Sequence, residues 1–122
     1  MADNAKDPLD AAMRALRAEY LYEAPERVRE LSAALGRLRA GDIAALHDLE
    51  RRFHQLAGSG GSYGFPAITE RSRRAEHAVI QLIGEARSPQ RGDYAILEAH
   101  VLDVAEVFRA AQREFDEEVS PG

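Results

Sequence analysis

Apolar residues recur along this chain at steps of three and four, the spacing that lines one face of an α-helix. Leu9, Met13, Leu16 and Tyr20 form the first such stripe. Asp7-Pro8 stands before it, a capping residue followed by a proline where the first helical N–H needs no partner. Pro25 predicts a break or bend, after which Val28, Leu31, Leu35 and Leu38 carry a second stripe as far as Gly41. Asp42 is expected to cap a third helix, with Leu46, Leu49, Phe53 and Leu56 facing inward and an end near Gly64. Pro66 opens a fourth, with Ile68, Ser72, Ala75, Val79 and Leu82 on one face. Ser88-Pro89-Gln90-Arg91-Gly92 reads as a turn. Asp93 reads as the cap of the last helix, whose seam runs through Tyr94, Leu97, Val101, Val104, Phe108, Ala111 and Phe115.

No run reads as a strand, and neither an internal repeat nor a low-complexity segment is present. The fold class is therefore all-α. Short connections between long helices force sequential neighbours to run in opposite directions. This predicts an antiparallel up-down four-helix bundle with an additional short N-terminal helix, its seams suited to crossing angles of roughly 20°. A single long coiled-coil hairpin is the competing arrangement, and the cap and breaker signals disfavour it. The length of 122 residues suits a single domain over 1–122, with its core at about 8–118 and mobile ends.

Composition narrows the function classes. Hydrophobic residues make up 45%, enough for one packed core. The absence of cysteine excludes a disulfide framework or a thiolate site and suits a reducing cytoplasm. The first residues carry no apolar signal region, and no apolar run is long enough to span a membrane. A net charge of −5 argues against a general nucleic-acid binder. The charge is uneven: residues 47–74 hold five arginines, Arg51, Arg52, Arg71, Arg73 and Arg74, against three acids. The end of the chain, with Glu114, Asp116, Glu117 and Glu118, is acidic.

Against this background one stretch stands out, Phe53-His54-Gln55-Leu56-Ala57-Gly58-Ser59-Gly60-Gly61. Glycine costs a helix about 1 kcal/mol relative to alanine, so three glycines in its last turns need a reason. Successive helical residues are about 100° apart, which puts His54 roughly 120° from the centre of the core face. Ala57, Gly58 and Gly61 follow at three, four and seven positions, where side chains would otherwise shade the imidazole. The pattern predicts an exposed histidine that something large can reach. His47, His77 and His100 have no such surroundings and read as surface histidines. His47 and His54 are two turns apart, too far to share one tetrahedral ion unaided, and no His-x-x-x-His pair exists, so no metal site is expected.

These residues resemble the histidine-containing phosphotransfer (HPt) domain family, whose pattern is H-x-L-K-G-x-x-x-x-x-G on a helix of a four-helix bundle. The chain reads His54-Gln55-Leu56-Ala57-Gly58, with Gly64 in the last place; Leu46, Leu49 and Phe53 before it and Arg74-Ala75-Glu76 after it also fit. The resemblance covers roughly residues 24–115. It implies that His54 accepts a phosphoryl group on Nε2 and exchanges it with aspartates of response-regulator receiver domains, with a hybrid histidine kinase as a further partner. It implies no cofactor of the chain's own, since the receiver supplies magnesium. No phosphate-cradling glycine loop or kinase signature is present, in keeping with a phosphotransfer intermediate rather than an ATP-dependent kinase. Where the family has lysine, this chain has Ala57. Arg51 on the same helix, or Arg71, Arg73 and Arg74 on the next, are candidates to compensate.

The expected binding surface around His54 therefore comprises Arg51, Gln55, Ala57, Gly58, Gly61, Arg71 and Arg74, with Tyr63 and Phe65 as an apolar patch beside it and the acidic tail held away. The alternative reading is a helical adaptor that docks a receiver or kinase and leaves His54 unmodified. The start and end of the chain read as those of a free-standing protein rather than a module of a larger hybrid kinase.

Overall fold

The computed structural model describes residues 7–119, and the expected mobile ends fall on residues 1–6 and 120–122, outside the described residues. Five helices follow one another: α1 Pro8–Tyr22, α2 Ala24–Arg39, α3 Ala44–Ser62, α4 Pro66–Gly84 and α5 Arg91–Val119. Among the described residues there is no strand. Helices α2 to α5 close a ring in which each packs on two neighbours and the diagonal pairs do not meet. Arg37, late in α2, pairs with Asp48, early in α3, while Arg52 further along α3 reaches back to Glu30.

The inward stripes fill the ring. Leu31, Leu38, Leu49, Phe53, Ile68, Val79, Leu97 and Val104 are fully buried, each burial worth about 1.5–3 kcal/mol. Ser72 is as buried as they are, yet its hydroxyl has no hydrogen-bond partner.

Helix ends follow local chemistry. Asp7 accepts a hydrogen bond from the Leu9 N–H at 2.9 Å, as a capping residue should. Only Glu23 separates α1 from α2, and Pro25 sits inside the first turn of α2, where a missing N–H costs nothing. After α2 and α3 the chain turns through Gly41 (φ 104°) and Gly64 (φ 86°), left-handed conformations that a Cβ disfavours. At both ends paired backbone bonds close the last turn: Gly41 N–H to Leu38 and Asp42 N–H to Arg37, then Gly64 N–H to Gly61 and Phe65 N–H to Gly60. Asp42 falls one residue before the capping position of α3, which is Ile43, and its carboxylate accepts from the Ala44 N–H at 3.2 Å.

Two further expectations are corrected. Asp93 is not the cap of α5, which begins two residues earlier at Arg91. Its carboxylate reaches back to the Gln90 N–H at 2.7 Å and to Arg87, the reciprocal half of a capping box. The stripe on α1 is also mostly outside the core. Tyr20 is buried, but Leu9, Met13 and Leu16 are 70%, 39% and 45% exposed. Only the last turns of α1 are fastened: Tyr20 stacks on Tyr63 at 4.7 Å between ring centres, and its hydroxyl meets the Ser59 hydroxyl at 2.8 Å. No helix of the described residues is long and apolar enough to cross a membrane.

Candidate functional site

α3 and α4 come close together near their shared turn, and glycine allows it. A Cβ at Gly60 would stand 2.9 Å from Ile68 Cγ2 and 3.0 Å from the Thr69 backbone nitrogen. Thr69 then donates its hydroxyl to the Ala57 carbonyl at 2.5 Å, tying the two helices together one turn below His54. This clamp fixes the register that brings Glu76 of α4 opposite His54 of α3.

His54 is 71% exposed, and its Nδ1 lies 2.8 Å from Glu76 Oε2. Glu76 is only 15% exposed, so the carboxylate is anchored at the helix seam and the ring projects from it. A carboxylate only accepts, which assigns the proton to Nδ1. Nε2 then keeps its lone pair, and no other described residue engages it. Phe53 and Leu56, both buried, hold the backbone beneath. Glu50 lies one turn before His54, completing a group of His54, Glu50 and Glu76 whose donor atoms all fall within 4.8 Å of one another.

The expected surroundings divide. Gly58 is exposed and a Cβ there would meet nothing within 4 Å, so the approach over the next turn is open. Gly61 is exposed too, though a Cβ there would press on the Thr69 hydroxyl at 3.2 Å. Gly60 is small because α4 is close, which corrects the reading of the whole cluster as access. Gln55 is exposed beside Arg52 on the α2 side. Ala57 is buried at 6% and offers nothing to a partner.

The arginines are more occupied than their number suggests. Arg51 is engaged by Asp48, whose carboxyl burial pushes up but Arg52 and Arg51 hold below the usual range. Arg71 is turned to Asp103 of α5 at 2.7 Å, and Arg74 to Glu70 at 3.3 Å. Arg73 is exposed and makes no ion pair among the described residues; it stands four residues after Thr69 and three before Glu76, on the same side of α4. The immediate neighbours of the imidazole are thus carboxylates, with arginines farther out. Tyr63 and Phe65 do not form the expected apolar patch: Phe65 is buried, and both rings stack on Tyr20. His47 and His77 are exposed as expected, whereas His100 is half-buried, and burial lowers its basicity.

Sequence reasoning missed the contact of Glu76 with His54 and the nearness of Glu50 to both. Glu76 adjoins the core position Ala75, and Glu50 precedes His54 by one turn, but only the α3–α4 register shows that they converge.

The model of the Hpt domain matches residues 15–114. No curated protein and no solved structure matches. A match over most of the chain, an all-helical bundle and an exposed histidine held by a seam carboxylate lead to one conclusion: the chain belongs to the Hpt domain family, which serves histidine phosphotransfer in phosphorelays.

Proposed function

We propose that His54 is the phosphoryl acceptor and exchanges its phosphoryl group with aspartates of response-regulator receiver domains. The observation that carries this reading is the exposed imidazole with Nδ1 held by Glu76 and Nε2 unengaged. The Nε2 lone pair attacks the phosphorus of a phosphoaspartate. The N–P bond forms, the P–O bond to the aspartate breaks, and the carboxylate leaves with the bonding electrons. The ring becomes cationic, and the Glu76 carboxylate beside Nδ1–H offsets that charge. Return of the group to a second receiver is the same step reversed. Magnesium and the acidic pocket belong to the receiver, so the chain itself needs no nucleotide and is an intermediate rather than a kinase. A hybrid histidine kinase is a further partner, and the cytoplasm is the compartment where such partners operate.

The same reading treats residues 1–122 as one domain with its core at about 8–118. It takes α2–α5 as an antiparallel up-down four-helix bundle and α1 as the additional short N-terminal helix. Cross-helix pairs support this: Arg37 with Asp48 and Arg52 with Glu30, Thr69 with Ala57 and Glu76 with His54, and Arg71 with Asp103. In the α2–α3 and α3–α4 sets, later residues of one helix meet earlier residues of the next.

Burial of Ala57, with no cation in the family's lysine place, favours a second reading in which the module docks a receiver without being modified. The test is incubation with a receiver charged by acetyl phosphate. Wild type is expected to label on histidine and His54→Gln not at all, with stability changed by no more than about 0.5 kcal/mol, as for exposed positions. Equal labelling of the variant, or label on His47, His77 or His100, refutes the assignment. Receiver binding with no label on wild type selects the adaptor.

A further inference from the structure

Glu50 is the group at this site that phosphoryl exchange does not use. It is half-buried on α3, one turn before His54, and among the described residues no hydrogen bond or ion pair engages its carboxylate. Three donors from two clamped helices converge here: a ring nitrogen of His54 and one carboxylate oxygen each from Glu50 and Glu76, all within 4.8 Å. A tetrahedral zinc ion has bonds of about 2.0–2.2 Å to such nitrogen and oxygen atoms, so its ligand atoms stand roughly 3.4 Å apart. Rotation of the flexible Glu50 side chain closes the difference, while His54 and Glu76 already face each other at 2.8 Å and need only part slightly.

We propose that Glu50, His54 and Glu76 form a binding site for a zinc-like divalent transition cation, and that its occupancy blocks phosphoryl acceptance. The second half rests on the function proposed above; the first does not. One imidazole and two carboxylates suit zinc and its neighbours, whereas magnesium prefers an all-oxygen shell and keeps its water. The exposed ring leaves the remaining coordination position to solvent.

The block follows from proton placement. A neutral imidazole carries a single N–H. With Glu76 as acceptor the proton is on Nδ1 and the lone pair on Nε2. The cation takes the Nδ1 lone pair in its place, Glu76 and Glu50 become ligands, and the ring proton moves through solvent to Nε2. The atom that must attack phosphorus then carries a proton and has no lone pair. Removal of the ion reverses each change.

The test has two arms. In the first, zinc chloride is titrated into the unphosphorylated protein by calorimetry, with magnesium chloride as control. A single saturable zinc site is expected in wild type, weakened at least about tenfold in Glu50→Gln, since even an outer-shell partner is worth that much. Magnesium is expected not to bind. No saturable zinc site, or equal affinity in Glu50→Gln with an unchanged thermal melt, overturns the site. In the second arm His54 is labelled with phosphoramidate, which needs neither receiver nor magnesium. Saturating zinc should suppress labelling of wild type, and a chelator should restore it. Glu50→Gln should label at the wild-type rate and continue at zinc concentrations that silence wild type. Full labelling of zinc-loaded wild type overturns the block. Failure to label without zinc overturns the acceptor reading instead, and calorimetry still judges the site.

Discussion

At the scale of single residues, the proposed function turns on one hydrogen bond. Glu76 holds Nδ1 of His54 at 2.8 Å and so sets both ring orientation and tautomer. A hydrogen bond to a charged group contributes about 1.5–3 kcal/mol when well buried, and the exposure of the ring reduces that here. Glu76→Ala is therefore expected to slow transfer from a phosphorylated receiver by about threefold to tenfold, where 1.4 kcal/mol is a factor of ten. Glu76→Gln, which can still accept from Nδ1–H but carries no charge, should fall between the two. Quench-flow rates check this; wild-type rates in Glu76→Ala would remove the positioning role. His54 and Gly58 were legible in the sequence, because helical spacing alone gives their exposure. Glu76 was not legible as a partner, because its role depends on the register of another helix.

At the scale of elements, the glycines of α3 do two different jobs. Gly60 lets α4 approach, and a Cβ there meets Ile68 Cγ2 at 2.9 Å and the Thr69 backbone at 3.0 Å. Gly60→Ala should lose about 1–3 kcal/mol by overpacking, more than the roughly 1 kcal/mol of helix propensity it gains. Gly58→Ala, in open space, should keep the propensity gain and melt higher. Gly58→Leu should also fold but block the partner, so phosphotransfer drops while the melting temperature holds. Thermal melts with transfer assays on the same variants separate packing from access; a Gly60→Ala protein as stable as wild type would show that the helices can part freely. The α4–α5 turn gives a pH prediction. The Arg87 hydrogen bond, then the Gln90 N–H, hold the Asp93 carboxyl below the usual carboxylate range. Because the folded value is lowered, the stabilisation is present above the unfolded value of about 4 and is lost as pH falls through the folded value. Asp93→Asn should therefore flatten the acid limb of a stability-against-pH curve below about pH 4. An unchanged acid limb would show that other groups dominate it.

At the scale of the whole molecule, the surface around His54 is a carboxylate pair inside a ring of mostly engaged arginines. Arg71 is tied to Asp103 on α5, so Arg71→Glu should place like charges together and weaken the bundle. Arg73, exposed and without an ion pair among the described residues, is the arginine best placed to meet an acidic receiver. Arg73→Glu should slow transfer at low salt without changing the melt. The difference from wild type should shrink as salt rises, since exposed charges are screened over about 10 Å at 0.1 M. Rates independent of salt in both proteins would leave shape alone as the basis of recognition.

Sequence by itself determined the helices, most of their inward faces and the exposed position of His54. Each depends on local periodicity, on caps and on left-handed glycines such as Gly41 and Gly64, which the chain carries within a few residues of where they act. The sequence also misplaced what depends on distant partners. Leu9, Met13 and Leu16 have helical spacing but no helix to cover them, whereas Phe65 looked like surface and is sealed by Tyr20. Arginines that looked free are held by acids on their own or neighbouring helices. Only the tertiary structure decided that Glu50 and Glu76 converge on His54, because helix register is set by close packing at Gly60 and Ile68. That contact is fixed by the shapes of two faces together, and neither face encodes it alone.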